Sequence, residues 1–353
     1  MSEPKLRWAI IGTGHIARKF ASDLRYSKTG TLAAVGSRRA ERAKEFAAAM
    51  GGVEIAGDET AAVLERSDID AVYVATPNPD HARSAIAALQ AGKPVLIEKP
   101  AAISADEARS IREAAEAANL LAMEAMWILF TPGIVRLREL IREGRIGAMR
   151  SFAASLSYAR PHIEGDKLFD PASGGALRDL GVYPVALAQN LLGAPDEVSG
   201  LVSRRENGSI RQASLSLRFG DAIANIACGF EAEGPNTATI TATQGYVSTK
   251  GPLLCPPALA FKTKSPPAPY MPAEQKPVAP LDKPSRFSRI SNARKIASAY
   301  RERLITTPFE GTGLHYQADH FADCLHRGAT QSPIHPLTAT EAVLETIEKV
   351  SGR

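Results

Sequence analysis

Leu6-Arg7-Trp8-Ala9-Ile10-Ile11-Gly12-Thr13-Gly14-His15-Ile16-Ala17 opens the chain with an apolar run of strand length, two closely spaced glycines and the start of a helix. Between a first strand and a first helix, a GxGxxG/A pattern reads as a dinucleotide site. Gly12 permits the tight turn, and Gly14 lets a pyrophosphate approach the backbone. Ala17 is small enough for helix and strand to pack, while the helix N–H groups meet the anion. Thr13, His15 and Ile16 share that turn and are expected against the cofactor.

Outward from it, strand-like runs recur at Leu6 to Ile11, Thr31 to Ser37, Ala71 to Ala75, Pro94 to Glu98 and Leu120 to Glu124, with alanine-rich helical stretches between. Such alternation predicts a doubly wound parallel sheet. Ser104 with Glu107 forms a capping box before Ala108 to Ala118, and Pro79-Asp80 opens a helix running to Ala91. After the helix from Thr131-Pro132 to Arg142 the period changes. Met149 to Tyr158 reads as a strand, and Ala213, Leu215, Leu217 and Phe219 alternate with Ser214, Ser216 and Arg218, as on a sheet with one buried face. Further strands are expected at Val198 to Arg204, Ala222 to Phe230, Thr237 to Ala242 and Tyr246 to Lys250, with one helix from about Ala176 to Leu191. The expected fold is therefore α/β followed by α+β. An N-terminal Rossmann domain spans 1–126, and a domain for substrate and oligomerisation, with a mostly antiparallel open sheet flanked by helices, spans 127–353.

Ten of the twenty-four prolines fall between Gly251 and Pro284, which argues against a central strand or helix there. The expectation is a long surface excursion, followed by an amphipathic basic helix from Phe287 to Leu304 with its arginines, Arg303 included, on other faces. The whole of 251–310 reads as a proline-rich, basic insertion. Helices follow at Leu314 to Arg327 and Thr338 to Val350, Thr338 and Glu341 suggesting a second capping box, and these helices are expected to pack back on the Rossmann domain.

A net charge of +4 over 353 residues, with 23% charged and 44% hydrophobic residues, is ordinary for a globular protein and does not suggest a nucleic-acid surface. Cys228, Cys255 and Cys324 are odd in number and far apart, so reduced thiols are expected rather than disulfides or a zinc cage. The seven histidines show no ligand spacing, and no metal is expected. The first apolar run is too short for a signal-peptide core, and Glu124 interrupts the apolar stretch Leu120 to Phe130, so the expectation is a cytoplasmic protein with no membrane span.

The chemistry centres on Val95-Leu96-Ile97-Glu98-Lys99-Pro100, a buried strand ending in an amine at the carboxyl end of a parallel sheet. Glu98 and Lys99 are expected beside the cofactor. Thr76-Pro77-Asn78 follows another strand and should face the nicotinamide half, with His81 packing or orienting substrate. The stretch Ala34-Val35-Gly36-Ser37-Arg38-Arg39 carries no acid for a ribose 2′-hydroxyl, whereas Ser37 and Arg38 suit a 2′-phosphate, so NADP is favoured and NAD remains possible.

In Gly174-Gly175-Ala176-Leu177-Arg178-Asp179-Leu180-Gly181-Val182-Tyr183-Pro184, Asp179 and Tyr183 lie four apart on a helix and share a face. The glycine pair is expected to admit a ligand. Oxidising a secondary alcohol needs a base for the hydroxyl proton, and a tyrosine whose pKa is depressed by a neighbouring ammonium can serve. Tyr183 is thus the expected acid/base, Lys99 its electrostatic partner and Asp179 an orienting residue. Trp127, Tyr158, Arg160 and His162 are candidate pocket residues.

These residues together resemble the glucose-fructose oxidoreductase and inositol dehydrogenase family, Gfo/Idh/MocA: Gly12-Thr13-Gly14-His15-Ile16-Ala17, Thr76-Pro77-Asn78 with His81, Glu98-Lys99-Pro100, and Asp179-Leu180-Gly181-Val182-Tyr183. Met123-Glu124-Ala125-Met126-Trp127 and Gly174-Gly175-Ala176-Leu177-Arg178-Asp179 look most like its dihydrodiol and D-xylose dehydrogenase branch, which carries tyrosine where many relatives have histidine. The resemblance implies a cis Lys99–Pro100 bond and a homodimer or higher homo-oligomer paired through the open sheet. It also implies a sugar, polyol or diol substrate. The proline-rich segment departs from the family pattern, standing where later sheet strands belong. The expected activity is NADP-dependent hydride transfer at a secondary alcohol or hemiacetal carbon. The alternatives are a non-catalytic NADP-binding sensor, or an enzyme that retains its cofactor for elimination or glycoside cleavage.

Overall fold

The computed structural model describes residues 4–51, 53–55, 60–263 and 302–352. Six strands form a parallel sheet: β1 (Leu6–Ile11), β2 (Gly30–Gly36), β3 (Glu54–Ile55), β4 (Ala71–Val74), β5 (Val95–Glu98) and β6 (Ala122–Ala125), in the order β3-β2-β1-β4-β5-β6. Every residue of β4, β5 and β6 is buried, as strands covered by helices on both faces require. The covering helices include α1 (His15–Asp23), α2 (Ala40–Ala49), α3 (Thr60–Leu64), α4 (His81–Gln90) and α5 (Ala105–Ala118). Ser104 caps α5 by accepting the Glu107 N–H, as expected from its sequence, while the Glu107 carboxylate accepts the N–H of Ile103 rather than of Ser104. The strand order reverses between β1 and β4, which opens a crevice at their carboxyl ends.

Beyond α6 (Pro132–Arg142) lies an eight-stranded sheet. Its strands are β7 (Met149–Ser157), β8 (Glu197–Arg204), β9 (Ile210–Phe219), β10 (Ala222–Gly229), β11 (Ala238–Ala242), β12 (Gly245–Lys250), β13 (Ala258–Thr263) and β14 (Arg303–Thr306), ordered β14-β13-β12-β11-β7-β10-β9-β8. All pairs are antiparallel except β7 with β10. The alternation in β9 holds: Ala213, Leu215, Leu217 and Phe219 are buried, whereas Ser214, Ser216 and Arg218 are exposed. The buried face carries α7 (Val182–Leu192). The helix His315–His326 brings Phe321 against Trp8 of β1, and the C-terminal helix Leu337–Ser351 lies on both α5 and α7.

The structure corrects four expectations. Residues 258–263, inside the supposed excursion, form β13 between β12 and β14, because this proline-free run pairs on both sides while the prolines lie outside it. Arg303 and Leu304 belong to the strand β14 rather than to a basic helix; the remainder of that expected helix lies outside the described residues. Pro336, not Thr338, precedes the C-terminal helix, whose N-terminus has no side-chain cap, and Glu341 is engaged by Arg112. Finally, the helix expected from Ala176 begins with a π-helical turn, Leu177–Gly181, before α7.

Candidate active site

Gly12 has φ +114° and stands so close to β4 that a Cβ would lie 2.4 Å from the Ala75 carbonyl oxygen, so only glycine fits. Gly14, the residue before α1, faces open space, and His15 is exposed beside it. Across the crevice Thr76 Oγ1 is buried without a hydrogen-bond partner among the described residues. A bare helix N-terminus, an unobstructed glycine and an orphaned hydroxyl are what a dinucleotide pyrophosphate and its nicotinamide half would satisfy.

At the end of β2, the Ser37 hydroxyl accepts the Arg39 N–H, and Arg38 makes a mostly exposed 3.4 Å ion pair with Asp80. Asn78 donates to the Ser173 carbonyl, tying the turn after β4 to the loop before the π turn. His81 does not face the cleft. Its Nδ1 lies 2.8 Å from the Pro100 carbonyl and its Nε2 2.8 Å from that of Thr76, and burial lowers its pKa. It fastens one loop to another.

Lys99 stands at the end of β5, followed by a cis Lys99–Pro100 bond. Its Nζ donates to the Asp179 carbonyl oxygen at 2.8 Å and to Asp179 Oδ1 at 2.9 Å, and lies 4.7 Å from the centroid of the Tyr183 ring. The local sequence explains this reach. Pro184, five residues beyond Asp179, has no N–H to offer that carbonyl in an i to i+5 ladder, and Lys99 takes it instead. Arg160 Nη1 holds the second carboxylate oxygen at 3.2 Å. Trp127 Nε1 donates to the Tyr183 oxygen at 3.1 Å, which leaves the phenolic hydrogen free to be given away.

The loop bearing Lys99 is held almost residue by residue. Glu98 accepts the Lys99 N–H, Glu124 the Ala101 N–H, and Arg178 donates to the Ile103 carbonyl. Glu98 also accepts the buried Tyr73 hydroxyl.

The electrostatics follow from burial and pairing. Burial opposes ionisation of both Lys99 and Asp179, but each stabilises the other, so Lys99 is held above the ordinary lysine range and Asp179 below that of a carboxylate. Burial pushes the Tyr183 phenol up to about 12, against the pull of Lys99. A depressed phenol was expected; its desolvation outweighs the neighbouring ammonium. Burial likewise raises Glu98 to about 7.

Lys99, Asp179, Leu180 and Tyr183 line a cleft of about 420 Å³ with Tyr158, Ala159, Arg160, Glu233 and Leu254. Sequence reasoning missed Glu233 and Leu254, which enter from loops with no motif of their own. His162, by contrast, is exposed, packs edge-on against Phe169 and does not line the cleft. The Gly174-Gly175 pair does not admit a ligand. A Cβ on Gly174 would meet the Lys167 carbonyl at 2.5 Å, and one on Gly175 would crowd Ile210, so the pair serves backbone packing. No cluster of three metal-ligating side chains occurs among the described residues, and no described helix is long and apolar enough to cross a membrane.

A family profile described as an oxidoreductase family with an NAD-binding Rossmann fold matches residues 6–126, and the GFO/IDH/MocA C-terminal domain matches 134–248. Trans-1,2-dihydrobenzene-1,2-diol dehydrogenase of Homo sapiens is 28% identical over 351 residues, covering 98% of this chain and 96% of that protein. The dTDP-3,4-didehydro-2,6-dideoxy-alpha-D-glucose 3-reductase of Streptomyces antibioticus is 34% identical over 250 residues, 69% of this chain and 75% of the reductase. Among solved structures, a 3-ketoreductase from Actinomadura kijaniata, in complex with NADP and TDP-benzene, superposes with TM-score 0.77 at 25% identity, covering 98% of this chain and 97% of the ketoreductase.

Proposed function

The chain belongs to the GFO/IDH/MocA oxidoreductase family, and from that premise we propose that it is an NADP-dependent oxidoreductase acting on a sugar, polyol or cyclic diol. The hydride moves between the nicotinamide and a secondary alcohol or hemiacetal carbon. One observation carries the reading: Lys99 and Tyr183 converge in a single cleft at the carboxyl end of β5.

When bound, the nicotinamide supplies or receives the hydride. The protein's own residues handle the proton. In reduction the Tyr183 hydroxyl, kept protonated by its burial, gives its hydrogen to the carbonyl oxygen, and the phenolate so formed sits against the Lys99 ammonium. In oxidation the same oxygen takes the hydroxyl proton back. Asp179, held from both sides by Lys99 and Arg160, fixes the ammonium and does not itself need to titrate.

NADP is supported by the missing acid at the end of β2 and by Arg38, whose exposed pairing with Asp80 is weak enough to yield to a phosphate. Two similar proteins, a dihydrodiol dehydrogenase and a deoxysugar 3-reductase, support the substrate class. Tyr158, Arg160 and Glu233 offer the hydroxyls of such a substrate both donors and acceptors. The open face of the eight-stranded sheet, where Leu201 is 81% exposed and Ile223 49%, is the surface through which a second copy would pair, in a cytoplasmic setting.

The test is NADPH oxidation across a panel of ketoses, aldoses and cyclic diketones, and NADP reduction across the matching alcohols. Turnover with one class is expected, and none on the whole panel would refute the reading. Light scattering of the wild type and Leu201→Asp checks the pairing.

A further inference from the structure

Glu124, His335 and Thr340 are each no more than 2% exposed and take no part in the proton transfer described above. Glu124 sits in β6, and its two carboxylate oxygens are shared among three donors. Oε1 accepts the Ala101 N–H at 2.9 Å, while Oε2 accepts His335 Nε2 at 2.8 Å and Thr340 Oγ1 at 2.9 Å. Burial opposes its charge, but His335 and the other donors hold the carboxyl below its ordinary range. The His335 backbone is held in turn, since its main-chain N–H donates to Ser332 Oγ.

An apolar group of the same volume commonly serves a core as well as a buried carboxylate with its partners does. What an apolar group cannot do is take a backbone N–H and fix it in direction. The N–H taken here belongs to Ala101, two residues after Lys99, and the intervening Pro100 has its carbonyl held by His81. Charge-assisted bonds in a dry interior are short and directional, so the loop's position is set by where the carboxylate is held.

We infer that Glu124, fastened by His335 and Thr340 from the C-terminal segment, is a positioning residue that aims the Lys99 ammonium at Tyr183. The segment just before and into the C-terminal helix thereby completes the active site without touching substrate or cofactor. This rests on the roles given to Lys99 and Tyr183 above.

The experiment compares His335→Leu, which removes the donor, with His335→Gln, which keeps an N–H of similar reach; Thr340→Val is the milder second variant should His335→Leu not fold. His335→Leu is expected to lower kcat about tenfold, with the carbonyl-substrate KM and NADPH Kd within about twofold, since small displacements of a reacting group are costly. His335→Gln should recover most of that loss. Amide hydrogen exchange in the peptide covering residues 99–103 should quicken at least about tenfold in His335→Leu, while β1 and α1 stay protected. Unchanged exchange in that peptide overturns the inference whatever the turnover. So does an equal loss of kcat in both His335 variants that follows their Tm. A wild type inactive on the whole panel refutes instead the oxidoreductase reading, and the exchange comparison then still decides whether this carboxylate holds the loop.

Discussion

The Lys99 ammonium lies over the ring of Tyr183, 4.7 Å from its centroid, while its hydrogen bonds go to Asp179. The cation therefore acts on the phenol through its field and not by occupying the oxygen. On the mechanism proposed above, the oxygen stays available to a substrate, and a phenolate formed on donating the proton would be stabilised at once. Lys99→Ala and Tyr183→Phe should each lower kcat by roughly 10²- to 10⁴-fold, the range for loss of a positioned proton donor or its support. NADPH affinity, read by its fluorescence, should stay within a few-fold. Normal turnover in both variants would falsify the mechanism.

Trp127 makes the one hydrogen bond to the Tyr183 oxygen recorded among the described residues, and its indole stands edge-on to that ring at 6.4 Å. Trp127→Phe keeps an aromatic edge and loses the indole N–H together with the fused second ring. A net hydrogen bond of about 1 kcal/mol corresponds to a roughly fivefold slower proton transfer. The expected result is that drop in kcat, with a solvent deuterium isotope effect at least as large as in the wild type; an unchanged kcat would remove Trp127 from the mechanism.

Arg38→Ala should reduce the NADP over NAD preference in kcat/KM at least about tenfold, the loss of one charge-assisted phosphate contact. Most of the change should appear in the NADP KM. An unaltered ratio would detach the cofactor preference from Arg38.

Glu98 predicts an unusual pH dependence of stability. Its folded pKa, raised by burial to about 7, exceeds the ordinary 4.5, so over that interval the folded chain holds a proton that the unfolded chain has released. This group's contribution to stability therefore falls as pH rises from about 4.5 to about 7, and stays lower above. Glu98→Gln should flatten that fall. Urea midpoints at pH 5 and pH 8, compared between the two proteins, provide the check: the difference should shrink in the variant.

Where the sequence was readable, one short stretch decided the geometry. Ile11-Gly12-Thr13-Gly14 imposes a turn only glycine can make, and the reversal of strand order beside it follows from the alternation of strands and helices. Lys99 and Tyr183 could be paired because Lys99 ends a strand-length apolar run, Tyr183 lies four residues after Asp179, and a tyrosine base needs a neighbouring cation. The state of Tyr183 could not, since a neighbouring charge is evident in a sequence but desolvation depends on everything packed around it. The strand β13 was hidden for a different reason: six proline-free residues are outvoted by the prolines on either side, and only pairing with β12 and β14 makes them a strand. Glu233 and Leu254 reach the cleft through tertiary folding alone, and nothing local marks them.

The π-helical turn at Leu177–Gly181 makes the count of residues as informative as their identity. Each position along a helix rotates the following side chain by about 100°. The wide turn leaves the Asp179 carbonyl to Lys99, and removing a single residue would close it to ordinary helix and withdraw that acceptor from the ammonium. Such a deletion should leave a folded, NADPH-binding protein with reduced turnover, so the length of this turn counts beside the identity of the motif residues it carries.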